Sequence, residues 1–226
     1  RLHWNASRQR SRDTVAAETF LFEALSEKAQ QAALDRYRYY WVDYDWWDTT
    51  YEDAVRMAEI LGIEIDKHYG KDGNGPKIHF SGFCSQGDGA SFAGRYAPKA
   101  DALTAIQAQC NDETLIDLAK RLTVINVATS LIEGLEEFHA EITTRGHYSH
   151  PSTMNVEVHL AVSDEFVDIN IFPEELEKEL TVCMREFADW IYHQLEAEHD
   201  YLISDEYLKE RLAEYETKFD EDGAMI

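Results

Sequence analysis

Cysteine is scarce: Cys84, Cys110 and Cys183 are the whole supply in 226 residues, far apart and without a CxxC spacing. That excludes a disulfide framework and a zinc ribbon, and it is the pattern of a reducing cytoplasm. Long apolar runs are missing too, since nothing approaches the roughly 18 consecutive apolar residues of a membrane-spanning helix, and no membrane partner is expected. Several enzyme signatures are absent. There is no GxxxxGK[ST] phosphate loop and no G-x-S-x-G elbow, and Gly87-Asp88-Gly89 fails as a dinucleotide fingerprint because Phe92 stands where a third glycine belongs. No cofactor is expected.

Positive charge is also in short supply. With 21 Lys/Arg against 44 Asp/Glu, the formal net charge is −23. Repulsion at that level argues against direct nucleic-acid binding and favours a basic protein partner. The excess is uneven, for the stretch from Glu174 onward carries 17 Asp/Glu against 5 Lys/Arg. Such a block is either a solvated helix surface or an acidic face that competes with nucleic acid for a basic partner. Residues 1–24 form a basic arm with Arg1, Arg8, Arg10 and Arg12 and show no signal-peptide pattern, so the expected organisation is that arm and a single domain from 25 to 226.

What is present is enough apolar surface for a core, with 44% hydrophobic and 12% aromatic residues. Ser26 is placed to cap a helix from Glu27 to about Trp41, and Thr50 with Asp53 reads as a capping box for the next. Ala54, Met57, Ala58 and Leu61 fall on one face of that second helix, and Gly62 ends it. Ile63-Glu64-Ile65 is a short strand, and Gly73-Asn74-Gly75-Pro76 reads as loop. Asn111 is expected to cap a helix through Leu115, Leu118 and Leu122. Phe138, Ala140 and Ile142 alternate with His139 and Glu141, and Val156, Val158, Leu160 and Val162 alternate with Glu157 and His159, as in half-buried strands. Pro173 opens a long helix whose buried side carries Leu176, Leu180, Met184, Phe187, Ile191 and Leu195, packed within the monomer or across a homodimer. Ser204 caps a last helix to about Lys218. The predicted fold is α+β, a mainly antiparallel sheet packed with several helices, the long ones C-terminal.

The richest local signal is Phe80-Ser81-Gly82-Phe83-Cys84-Ser85-Gln86-Gly87-Asp88-Gly89-Ala90-Ser91-Phe92. Two short arms flank a polar turn in which Gly87 and Gly89 are expected to use positive φ. That turn would crowd Gln86, Asp88, Ser85 and Ser91 together. If its arms share a sheet with the strands at 138–142 and 156–162, the turn meets the loop Gly146-His147-Tyr148-Ser149-His150-Pro151. Asp88, His147 and His150 are then candidate catalytic residues for acid/base or metal chemistry, with Asp88 or Glu157 as a third ligand. The plainer alternative is a capped turn beside ordinary loop histidines, or a binding surface. Cys84 has no basic neighbour in its segment and alternates with Gly82, so it is expected to be a buried structural thiol.

A second constellation is Tyr40-Trp41-Val42-Asp43-Tyr44-Asp45-Trp46-Trp47-Asp48. It lacks the central glycine of an EF-hand loop, so calcium binding is not expected. Trp46 and Trp47 either anchor a helix junction or form an interaction surface rimmed by acid.

Five stretches together resemble one family of phage and prophage proteins commonly labelled as an antitoxin of a toxin–antitoxin stability system. They are Trp46-Trp47-Asp48-x-x-Tyr51-Glu52-Asp53-Ala54, the Phe80–Phe92 segment, Arg145-Gly146-His147-Tyr148-x-His150, Phe187-Ala188-Asp189-Trp190-Ile191-Tyr192 and Glu221-Asp222-Gly223. The resemblance spans about Leu25 to Gly223; Cys84 stands where the family has an aromatic residue. It implies a mobile element in a bacterial host and a cytoplasmic protein, and it supplies no catalytic residues. Two function classes follow. The first is an acidic, non-catalytic binder that antagonises a host toxin or anti-phage defence effector, mimicking nucleic-acid charge through Glu196, Glu198 and Asp200 and using Gln86, Asp88, Ser91, Trp46 and Trp47 as further binding residues. The alternative is a small hydrolase or nucleotide-processing enzyme acting through Gln86, Asp88, His147 and His150.

Overall fold

The computed structural model describes residues 18–43, 45–70, 73–146, 149–163 and 172–226. Arg1, Arg8, Arg10, Arg12, His147 and most of the basic arm lie outside the described residues. In chain order the elements are β1 (Phe20–Leu21), α1 (Glu27–Tyr37), α2 (Asp48–Leu61), β2 (Ile63–Ile65), β3 (Lys67–Gly70) and β4 (Gly73–Pro76). Then come β5 (Ile78–Phe80), β6 (Ala90–Phe92), β7 (Gly94–Tyr96), α3 (Ala102–Gln109), α4 (Glu113–Ser130) and β8 (Leu135–Thr144). The chain continues with β9 (Met154–Val162), α5 (Glu174–Leu202), α6 (Asp205–Glu214) and β10 (Lys218–Phe219). All pairing among these strands is antiparallel, and the fold is α+β.

The chain divides into two compact units, one of residues 44–200 and one of residues 1–43 with 201–226. The stretch 25–226, read in sequence as one domain, thus contains parts of both.

In the larger unit β2, β7, β8 and β9 form a four-stranded sheet in that order. Strict alternation along β8 puts Phe138, Ala140 and Ile142 into the core, as its sequence predicts. Helix α5 buries Leu180, Met184, Phe187, Ile191 and Leu195 completely against the same core, so its apolar stripe is filled inside this unit. Each such side chain contributes about 1.5–3 kcal/mol relative to exposure. Leu176 is only half-buried.

The termini of the helices are where the sequence reading errs. Helix α2 begins two residues before Thr50, with Trp47 at the N-cap, so Thr50 and Asp53 do not form a capping box. Helix α4 is capped by Asp112, not Asn111: its Oδ1 accepts from Thr114 N (2.9 Å) and Leu115 N (3.1 Å). Gly73–Pro76, expected as loop, is strand β4 paired with β3, because backbone pairing needs no apolar side chains.

The smaller unit has its own core of Phe22, Leu25, Ala29, Ala33, Leu34, Leu208, Leu212 and Phe219. Ser26 caps α1, as expected, and Ser204 caps α6 through Tyr207 N (3.1 Å). The last helix stops at Glu214, and Lys218 belongs to β10, which pairs with β1. Gly223, at φ +80°, lies against α1 so closely that a Cβ would stand 2.3 Å from the Ala29 carbonyl oxygen.

Candidate functional site

Strands β5 and β6 form the expected hairpin, but in a two-stranded sheet of their own, apart from β8 and β9. The turn is organised by Asp88. Its Oδ2 accepts from Ser85 N (2.7 Å) and Cys84 N (3.0 Å), and these bonds hold the carboxyl below its ordinary value despite some loss of hydration. Neither Gly87 nor Gly89 uses positive φ. Gly89 is needed for a different reason: a Cβ there would lie 3.1 Å from His150 Cδ2 and 3.2 Å from Pro151 Cδ. The hairpin and the His150 segment therefore do meet, through side-to-side packing rather than a shared sheet. Ser81 ties them together, accepting from Gly89 N (3.0 Å) and donating toward the Ser149 carbonyl (3.4 Å).

His150 is engaged locally. Its Nδ1 accepts from Ser152 N (3.0 Å) and lies 2.8 Å from Ser152 Oγ, capping a single 3₁₀ turn at Pro151–Thr153. Asp88 and His150, the described members of the expected catalytic set, each have one polar atom, Oδ2 and Nδ1 respectively, held by backbone N–H groups. Ser91 is buried at 2% exposure within β6, away from any accessible surface, and Gln86 is exposed. Cys84, expected to be buried, is exposed; it sits in the turn itself, where the alternation of the arm no longer applies.

The residues of α5 complete the neighbourhood. Tyr192 donates its hydroxyl to the Gly82 carbonyl (3.1 Å) and stacks obliquely on Phe83, with ring centroids 5.4 Å apart. Phe83 also meets Trp46 (6.2 Å) and His199 (5.1 Å), and Trp46 meets Phe80 (5.7 Å) and His199 (5.5 Å). Trp47 packs on Phe80 at 5.6 Å. Trp46 and Trp47 are half-buried, so they anchor the start of α2 while leaving part of each ring accessible. The Tyr192 phenol is raised above its ordinary value, first by burial and then by the carboxylates of Glu196 and Asp88. Asp189, one turn earlier, is raised chiefly by loss of hydration, while His150 and His193 pull it down. Sequence reasoning missed Tyr192 as a neighbour of the hairpin and Asp189 as a neighbour of His150. Both stand in the quoted stretch Phe187–Tyr192, but only the tertiary fold shows which turn they face.

A family model described as Domain of unknown function (DUF8835) matches residues 46–205, more than half of the chain. The chain belongs to the DUF8835 family. The matched DUF8835 region begins at Trp46 and takes in the hairpin, the four-stranded sheet and α5, so the whole aromatic neighbourhood lies within it. No curated protein and no solved structure matches the chain.

Of the expected acidic residues, Glu196 and Asp200 lie beside this DUF8835 neighbourhood, near Tyr192 and next to His199 respectively. Glu198 points elsewhere. It lines a cleft of about 480 Å³ with Asp53, Arg56, Cys110, Asp112 and Trp190. No helix among the described residues is long and apolar enough to cross a membrane.

Proposed function

We propose that this protein is an acidic, non-catalytic binding protein that antagonises a basic host protein, with the ring cluster around Phe83 as the centre of its binding face. The observation that carries the reading is the arrangement of Phe83, Trp46 and Tyr192, half-buried rings bordered by Asp88, Glu196 and Asp200. Aromatic anchors inside a polar border are the usual anatomy of a protein-binding surface. The distribution of cations adds support. Arg38, Arg56, Lys77, Arg95, Arg121, Lys178 and Arg211 each sit on a carboxylate, which leaves the acidic excess to dominate the surface field. A basic effector that normally grips phosphates would be drawn to such a field. The setting, a phage or prophage gene whose product acts on a toxin or defence effector in the bacterial cytoplasm, rests on the sequence resemblance alone.

The test is a paired pull-down from nuclease-treated bacterial lysate, comparing the natural chain with E196K/E198K/D200K. The reading expects one basic protein retained in stoichiometric amount by the natural chain, with capture by the variant reduced most at low salt. Equal capture by both proteins at every salt concentration would remove the electrostatic part of the proposal. Capture abolished by D88A in an intact fold, together with turnover of a phosphoester or nucleotide, would replace it with the enzyme reading.

A further inference from the structure

The outer face of the β8–β9 pair carries a constellation that the binding reading does not use. The register sets His139 directly opposite His159, and Glu141 opposite Glu157. The two imidazoles stack with ring centroids 5.0 Å apart and planes 19° apart. One ring nitrogen from each histidine and one carboxylate oxygen of Glu141 lie within 4.8 Å of one another. His159 Nε2 is 3.9 Å from Glu141 Oε2.

Two further facts point to a ligand. His159 Nε2 is shielded from solvent and makes no hydrogen bond. A shielded nitrogen without a hydrogen bond is costly, and a bound cation removes that cost at His159 Nε2, the atom that faces Glu141. The surroundings are also those of a ligand shell. Glu137 Oε1 stands 3.2 Å from His139 Nδ1 and is itself held by Arg95 at 2.7 Å, so a carboxylate is fixed behind one imidazole. A carboxylate in that place orients a ligating histidine and raises its basicity.

We propose that His139, His159 and Glu141 form a binding site for a divalent first-row transition ion of the zinc type. Two imidazoles and one carboxylate suit zinc, cobalt or nickel; magnesium and calcium need oxygen-rich shells. Ligands of a tetrahedral zinc, each ~2.0–2.1 Å from the ion, stand about 3.3 Å apart. A small swing of the exposed Glu141 closes the present 3.9 Å to that value. Three protein ligands leave the fourth position for water, as in zinc sites that act on bound water or on a partner's side chain. The cross-strand placement also staples β8 to β9, so the ion stabilises the sheet as it binds.

The test is a titration of metal-free protein with Co²⁺, read by its visible d–d absorption, followed by displacement with Zn²⁺. The natural chain is expected to take up one ion with tetrahedral bands that Zn²⁺ removes and Mg²⁺ does not. H139A and H159A are expected to weaken binding by about 100-fold and E141Q by about 10-fold, while H193A, changed far along the chain on α5, leaves it unchanged. Zn²⁺ should raise the melting temperature of the natural chain and of H193A, and not that of H159A. If a histidine variant fails to fold, E141Q makes the same comparison at an exposed side chain. Absence of saturable uptake, or uptake indifferent to all three substitutions, overturns the proposal.

Discussion

The Trp190 indole donates to Asp112 Oδ2 at 2.8 Å, while Oδ1 of the same carboxylate caps α4. One side chain thus closes the first turn of one helix and fixes the position of another. D112A removes the cap and leaves a buried indole N–H without a partner, a combined loss of about 2–3 kcal/mol. D112N keeps a capping oxygen and loses only the acceptor for the indole, so it should cost less. Urea unfolding of both variants checks the order; if D112N is as damaging as D112A, the cap contributes nothing.

Cys84 and Cys183 should separate by reactivity. Cys84 is exposed in the hairpin turn, whereas Cys183 is buried, and burial pushes its thiol up to about 12 even though Arg121 pulls it down. A thiolate-seeking reagent is expected to label Cys84 within minutes and Cys183 only after denaturation. Labelling of Cys183 in the folded protein would mean that α5 opens locally.

Asp88 and Asp189 have opposite pH signatures. The Asp88 carboxyl is held below its ordinary 3.8, so its contribution to the turn is complete above that value and is lost as pH falls through the lower folded-state value. Protection of the Cys84 and Ser85 amides, measured against their intrinsic exchange rates, should therefore fall in acid, and D88A should lack that protection at every pH. Asp189 is raised, so the fold favours its protonated form and loses stability as pH rises from the ordinary carboxylate range through the raised value. D189N is expected to raise the melting temperature at neutral pH and to have no such effect in strong acid. A melting curve set between pH 3 and 8 tests the sign.

Gly223 gives a prediction confined to the smaller unit. Its φ of +80° and the 2.3 Å approach of a notional Cβ to Ala29 O leave no room for a side chain. G223A should destabilise that unit by about 2 kcal/mol or more, read as faster hydrogen exchange in α1 and β1. Equal loss of protection across β8 would show that the two units unfold together.

Much of the fold is legible along the chain because burial repeats along it. The alternation of Phe138, Ala140 and Ile142, and the stripe from Leu180 to Leu195 on α5, follow from side-chain periodicity alone. Features set by position across the chain are not. Neither β1 nor β10 has more than two residues, too few for a pattern, and their pairing joins Phe20 to Phe219. Asn111 and Asp112 are equally good caps by residue type, and only the structure shows Asp112 in the cap position with its second oxygen held by Trp190. Glu141 and the two histidines at 139 and 159 were visible as outward residues of two strands, but only the register makes them neighbours. The hairpin was found, and its meeting with His150 anticipated, through a shared sheet that does not exist.

The pairing of β1 with β10 has a bearing on how the chain comes off the ribosome. All of residues 44–200 have been synthesised before the second half of the smaller unit begins. Phe20 must wait for Phe219, so α1 spends most of translation without the hydrophobic partners Leu208, Leu212 and Phe219 that finally cover it. While residues 201–226 are still inside the exit tunnel, the larger unit can already be complete, together with an α1 whose apolar face is uncovered. That is the interval in which a chaperone would be needed.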